Sequence, residues 1–236
     1  MRERVAAVIV AAGAGTRLGS STPKAFIPLG GRPLYAHALS VFASHPLIDN
    51  TVLVVPGDMV DATREAAGQP GEGPGAVTVV AGGGQRWESV RNGVDAAPED
   101  AGWVLVHDAA RPFVTPAVIN AVLDMRNKYR AAVTVTPVTD TVRTFSADNA
   151  GRTIDRSSLV RVGTPQLFHR ETLREGFARA AAMRQPPTDE AVLFEAMGLP
   201  VGIAWGDPLN FKITTAEDLL LAEALYEKRE TLRLGR

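Results

Sequence analysis

Short apolar runs, each about the length of one strand, recur along this chain with segments of helical spacing between them. The strand signal falls at residues 5–11 (VAAVIVA), 51–56 (TVLVVP), 76–83 (AVTVVAGG), 103–113 (WVLVHDAARPF, a strand passing into a loop), 131–137 (AAVTVTP) and near 200–205. Helical spacing marks 34–45 (LYAHALSVFASH), 58–67, 86–97 and 116–128, then roughly 170–183, 189–197 and 215–230. Unbroken apolar runs are buried strands, and strands alternating with helices predict an α/β fold: a mostly parallel sheet with helices on both faces. Ligands bind such sheets in the loops at the carboxyl ends of the strands.

The alternation breaks at 138–160, VTDTVRTFSADNAGRTIDRSSLV. Two alternating stretches flank the polar turn SADNAG, which predicts a β-hairpin arm leaving the sheet. The turn-rich GQPGEGPG (68–75) is a loop, and no repeat, low-complexity tract or linker divides the chain. The expectation is one domain over 1–236 carrying an arm at about 138–160.

With 25 basic and 26 acidic residues the formal charge is -1, which makes no electrostatic case for nucleic acid or a membrane surface. An anionic substrate must therefore meet local clusters of Arg and Lys. The absence of cysteine excludes disulfides, thiolate metal sites and a Cys nucleophile, and fits a cytoplasmic location. The apolar run after the N-terminal basic residues passes straight into glycine, so it reads as a strand and not a signal peptide.

The first strand leads into VIVAAGAGTRLGSSTPKAF (8–26), a loop of glycine and small residues. A dinucleotide fingerprint requires a helix to start within the glycine motif and an acidic residue about 20 positions on. Here no helix can start before about Pro33, and the second strand ends far later, in VVPGD. No G-x4-G-K-[ST] occurs either. What remains is a long loop whose Gly13 to Gly15 backbone can approach phosphate oxygens closely. Its Arg17 and Lys24 can neutralise charge on phosphates being cut apart. Either cation alone would serve equally well as a solvated surface charge.

The motifs AAGAGTRL, PKAF, HDAARP, DT, DRSSL, TPQLF, TDEA and NFKITT follow in one order over residues 5 to 227. In this order they resemble the 2-C-methyl-D-erythritol 4-phosphate cytidylyltransferase family. AAGxGxR and PK are common to many sugar-phosphate nucleotidyltransferases, whereas HDAARP, DR in the arm and NFKIT are more specific. The resemblance implies a Rossmann-like nucleotidyltransferase fold and attack of the acceptor's 4-phosphate on the α-phosphate of CTP. It further implies pyrophosphate as leaving group, a magnesium ion, and a homodimer through the arm. By the same resemblance, Arg17 and Lys24 stabilise the transition state. Ala11, Ala12, Gly13, Gly15, Gly83 and Ser89 hold the nucleotide. Asp108 serves the sugar and the metal, while Thr141, Arg156 and Lys212 hold the acceptor phosphate.

Two positions depart from the family pattern: Val10 replaces a proline, and Gly84 stands where some members carry an acid, which leaves backbone groups to read cytosine. His107 reads as a strand-end residue, Arg111 as structural, and Lys212 as a lysine at a strand end that needs an anionic partner. A helix cap is expected at Thr214–Thr215. The alternatives are a ribitol-5-phosphate cytidylyltransferase, less favoured by HDAAR, and a nucleotide sensor without catalysis.

Overall fold

The computed structural model describes residues 2–13, 22–67, 75–180 and 186–234, the side chains of 230–234 excepted. Arg17, Gly15 and most of the 68–75 loop lie outside the described residues. Strand β1 (Arg4–Val10) precedes a small hairpin, β2 (Pro28–Leu29) and β3 (Arg32–Pro33), then α1 (Leu34–Ala43) and β4 (Asn50–Val55). The chain continues through α2 (Val60–Ala67), β5 (Val77–Ala81), α3 (Arg86–Asp95), β6 (Ala101–Asp108), α4 (Pro116–Leu123) and β7 (Ala131–Pro137). The arm is β8 (Val142–Ser146) and β9 (Asn149–Ile154). Strand β10 (Val160–His169), α5 (Arg170–Ala180), α6 (Ala191–Ala196), β11 (Val201–Trp205) and α7 (Ala216–Leu234) follow.

Seven strands form the main sheet in the order β11-β7-β10-β6-β1-β4-β5, parallel except for β10, which runs antiparallel to both β6 and β7. The sheet is buried on both faces, and the period of two sorts its side chains. Val5, Ala7, Ile9, Leu53, Val55 and Leu105 face one core, with Phe42 of α1 and Ile119 of α4. Ala6, Val8, Val52, Val54, Val104 and Val106 face the other, with Val90 of α3, Leu173 of α5 and Phe194 of α6. Each buried valine or leucine contributes about 1.5–3 kcal/mol against its exposed state. Helix α3 sits especially close: a Cβ on Gly93 would lie 2.4 Å from Val8 Cγ1 and 2.8 Å from Val54 Cγ2.

Strand β10 is the element not expected from the sequence. Its first residues, Val160 and Val162, are exposed, and its register slips between Gly163 and Gln166, where Pro165 supplies no N–H to the ladder. The β2–β3 turn also went unforeseen; Gly30 and Gly31 take φ of 56° and 78°, the left-handed conformation a two-residue hairpin turn requires.

The chain steps outward from β1 to β4 and β5, then returns to β6 on the other side of β1. That reversal is a topological switch point, which puts a crevice at the carboxyl ends of β1 and β6.

Candidate active site

A cavity of about 340 Å³ opens at this crevice, and Ala11, Ala12, Gly13, Lys24, Gly83, Ser89, Asp108 and Lys212 are among the residues lining it. Sheet extensions fix its floor. The Ala11 N–H donates to Val54 O at 2.7 Å and the Gly82 N–H to Val55 O at 2.8 Å. A Cβ on Gly82 would lie 2.4 Å from the Ala12 Cβ, so the two loops touch backbone to side chain. Ser89 braces the wall: its Oγ accepts from Gly83 N at 3.1 Å and donates to Gln85 O at 3.2 Å. Glu88 Oε2 accepts from Gln85 N at 2.9 Å, closing a capping box that starts α3 at the cavity. The backbone N–H groups and positive dipole end of α3 therefore favour an anion on this side.

Asp108 ends β6 and is the acidic side chain of the cavity wall. Its Oδ2 accepts from Lys212 Nζ at 2.8 Å and lies 3.9 Å from Arg111 Nε, while Oδ1 accepts from Arg86 Nη2 at 3.3 Å. Burial alone would raise its pKa; Arg86 and then Lys212 override this and hold the carboxyl well below the usual range. Arg86 is itself gripped from behind: both oxygens of fully buried Glu190 accept from its Nη1 at 2.8 Å. Burial pushes the Glu190 carboxyl up, opposed by the guanidinium it faces. Two short hydrogen bonds from an arginine, which does not give up its proton, keep Glu190 ionised.

His107, beneath Asp108, is fully buried and tilted against the Phe42 ring at 5.0 Å. Burial lowers its pKa from 6.5 to about 4, so its ring is neutral. Nε2 lies 3.1 Å from Arg111 O, an acceptor only, and so carries the proton. Nδ1 must then accept from Thr164 Oγ1 at 3.0 Å, and that hydroxyl in turn accepts from Asp108 N at 3.1 Å. This ordered chain of bonds pins the backbone of residues 108 and 111. Arg111 is further fixed by its Nη1 donating to Asn210 O at 3.1 Å.

Lys212 lies in a loop and not at a strand end, and Asp108 is its anionic partner. Just beyond it, Asp218 Oδ2 accepts from the Thr214 and Thr215 N–H groups at 2.7 and 3.0 Å and Thr215 Oγ1 accepts from Asp218 N at 3.3 Å, which caps α7. A second, strongly polar cavity of about 160 Å³ adjoins the first and shares Arg86, Asp108 and Lys212 with it; Arg111, Gln166, Thr188 and Asp189 are on its wall. Among the described residues, buried Gln166 Oε1 and Arg111 Nε have no hydrogen-bond partner there.

Thr141 and Arg156 are not brought to either of these cavities. Both are on or beside the exposed arm, where Arg156 donates to Thr139 O and lines a separate hollow with Pro137, Val160 and Trp205.

The sequence profile of the family IspD, 2-C-methyl-D-erythritol 4-phosphate cytidylyltransferase, matches residues 5–228. The chain belongs to that family. A 2-C-methyl-D-erythritol 4-phosphate cytidylyltransferase of Nocardia farcinica is 44% identical, with 97% of this chain and 96% of that one aligned. One of Syntrophus aciditrophicus is 37% identical, over 98% and 99% of the two chains. The crystal structure of the enzyme so named from Thermus thermophilus superposes with a TM-score of 0.75 at 34% identity, over 94% of this chain and 98% of that one. The fold is that of this Rossmann-like nucleotidyltransferase family, and the chain is an enzyme of the cytidylyltransferase class.

The expected Lys24, Gly83, Ser89, Asp108 and Lys212 are joined at the site by Arg86, Glu190, Thr188, Asp189 and Gln166, for which the sequence alone indicates no role. The signal was partly present, because TDEA and TPQLF were among the family motifs. Among the described residues no group of three or more His or acidic side chains could hold a metal. A single ionised carboxylate nevertheless suits magnesium, which takes one or two carboxylates and draws its other ligands from phosphates and water. Asp108 is the residue that fits, in competition with Lys212 and Arg86.

Proposed function

We propose that the chain transfers CMP from CTP to 2-C-methyl-D-erythritol 4-phosphate, giving 4-diphosphocytidyl-2-C-methyl-D-erythritol and pyrophosphate for isoprenoid precursor synthesis. The observation that carries this reading is the meeting of two unlike cavities at Asp108, Lys212 and Arg86. One is walled by glycine-rich backbone and a helix N-terminus and suits a nucleotide triphosphate. The other is small and polar and suits a polyol phosphate.

The acceptor's phosphate is doubly ionised near neutral pH and needs no general base. One of its oxygens forms a bond to the α-phosphorus of CTP as the bond from that phosphorus to the β-phosphate bridging oxygen breaks. The residues act by holding two anions in line and neutralising charge on the departing pyrophosphate, Lys24 and Arg17 foremost. Magnesium, held by Asp108 and the phosphates, would add further charge neutralisation. Lys212 binds the acceptor phosphate.

Two copies of the chain pair through the 138–160 arm, so that Thr141 and Arg156 serve the partner's site. Exposed apolar side chains support this: Phe145 on the arm, Val160 and Trp205 in the hollow beside Arg156, and Val162 and Ile203 on β10 and β11. No described helix is long and apolar enough to cross a membrane, and the cysteine-free composition suits the cytoplasm.

The test is to offer CTP with 2-C-methyl-D-erythritol 4-phosphate or ribitol 5-phosphate and identify the product by mass. The methylerythritol product at much the higher efficiency is expected. Preference for ribitol 5-phosphate would transfer the chain to that activity, and no pyrophosphate from either acceptor would favour a sensor.

A further inference from the structure

Arg86 lines the cavity beside Lys24, Lys212 and the N-terminus of α3, and it is the first residue of that helix. An arginine in such a place is ordinarily a phosphate clamp, because its planar fork matches two phosphate oxygens. Here Nη1 is taken by both oxygens of Glu190 at 2.8 Å, and Nε and Nη2 rest on Asp108 at 3.4 and 3.3 Å. Glu190 reaches neither solvent nor the cavity wall. Burying a carboxylate costs more than a well-packed apolar pair would, so stability alone does not explain it. A cation at a helix N-terminus is also unfavourable unless an acid offsets it.

We infer that Glu190 is a positioning residue that withholds Arg86 from phosphates, leaving it a strut for Asp108 and keeping pyrophosphate weakly enough held to leave. The inference rests on the proposed transfer reaction, in which pyrophosphate is a product. A further unpaired guanidinium would grip the triphosphate before reaction and the pyrophosphate after it about equally. Such uniform binding does not speed the chemical step, and it slows product release.

The experiment measures binding of inorganic pyrophosphate by calorimetry, with turnover measured alongside. Glu190→Gln keeps the side-chain shape and frees one positive charge beside the cavity. It should bind pyrophosphate about tenfold more tightly, with kcat falling and product inhibition rising in step. The double variant Arg86→Met with Glu190→Leu removes both charges and leaves no buried ion unpaired. Its pyrophosphate affinity should stay within about threefold of native. Unchanged or weaker binding by folded Glu190→Gln would overturn the inference. So would a loss of about tenfold or more in the double variant, which would make Arg86 a direct phosphate ligand and which can be read even if Glu190→Gln does not fold. A native chain without transfer activity would count against the reaction itself, while the pyrophosphate affinities would still decide what Glu190 does.

Discussion

Acid titration isolates the buried hydrogen-bond chain under Asp108. His107 is neutral in the fold, its pKa lowered from 6.5 to about 4 chiefly by burial. The unfolded chain takes up the proton near 6.5, so between that pH and about 4 protons bind the unfolded state more than the native one. The stabilisation is therefore complete above 6.5 and is lost as pH falls toward 4. At about 1.4 kcal/mol per pH unit the whole interval corresponds to about 3 kcal/mol, of which about 2 kcal/mol is lost between pH 7 and 4.5. Carboxylates titrate in the same range, so the measurement is a difference. Urea unfolding of the native chain and His107→Gln, which cannot titrate but can still donate toward Arg111 O, is compared at both pH values. We predict that the native chain loses about 2 kcal/mol more than the variant. Equal losses would mean that His107 takes its proton in the folded state, and the assigned tautomer and its hold on residues 108 and 111 would be wrong.

Three further outcomes follow from named contacts. CTP should exceed UTP by on the order of 10²-fold or more in kcat/KM, because backbone acceptors near Gly83 and Gly84 would face a uracil carbonyl unpaired; equal efficiencies would remove that assignment. Gly93→Ala should cost on the order of 1–3 kcal/mol in urea unfolding, since its Cβ would meet Val8 at 2.4 Å; an unchanged midpoint would show that α3 can shift off the sheet. Lys24→Ala and Arg156→Ala should each be inactive, yet co-expressed chains that exchange subunits should recover roughly a quarter of native activity. Exchanged heterodimers as inactive as their parents would confine the arm to its own subunit.

The strands buried on both faces were legible because burial on two sides forces an unbroken apolar run, as in β1 and β4. Strand β10 was not, because an exposed first half, a glycine and a proline interrupt any period although residues 164–168 are buried between β6 and β7. The arm could be read from its polar turn and alternation. At the site, Lys24 stands out as a cation in a glycine-rich loop and Lys212 as a lysine between apolar residues, while Gly83 is pointed to only by the family resemblance; all three line the cavity. The TDEA motif contains Glu190 but does not show its role, since an acid before a short helix has the same local pattern whether it is solvated or locked onto an arginine 104 positions away. His107 looked like a strand end because its partners, Thr164 and the Arg111 carbonyl, come from a strand unseen in the sequence and from the loop that folds back over it.

Charge placed at the crevice drives the proposed phosphate exchange, and Lys24→Ala tests that most directly. Lys24 reaches this cavity from the short helical turn Lys24–Phe26. Turnover with CTP and 2-C-methyl-D-erythritol 4-phosphate would be measured beside the CTP dissociation constant. The prediction is a fall in kcat on the order of 10²-fold or more, with CTP binding weakened far less, since the charge is needed most as the phosphates rearrange. Near-native kcat with only the CTP affinity reduced would contradict it and make Lys24 a binding residue.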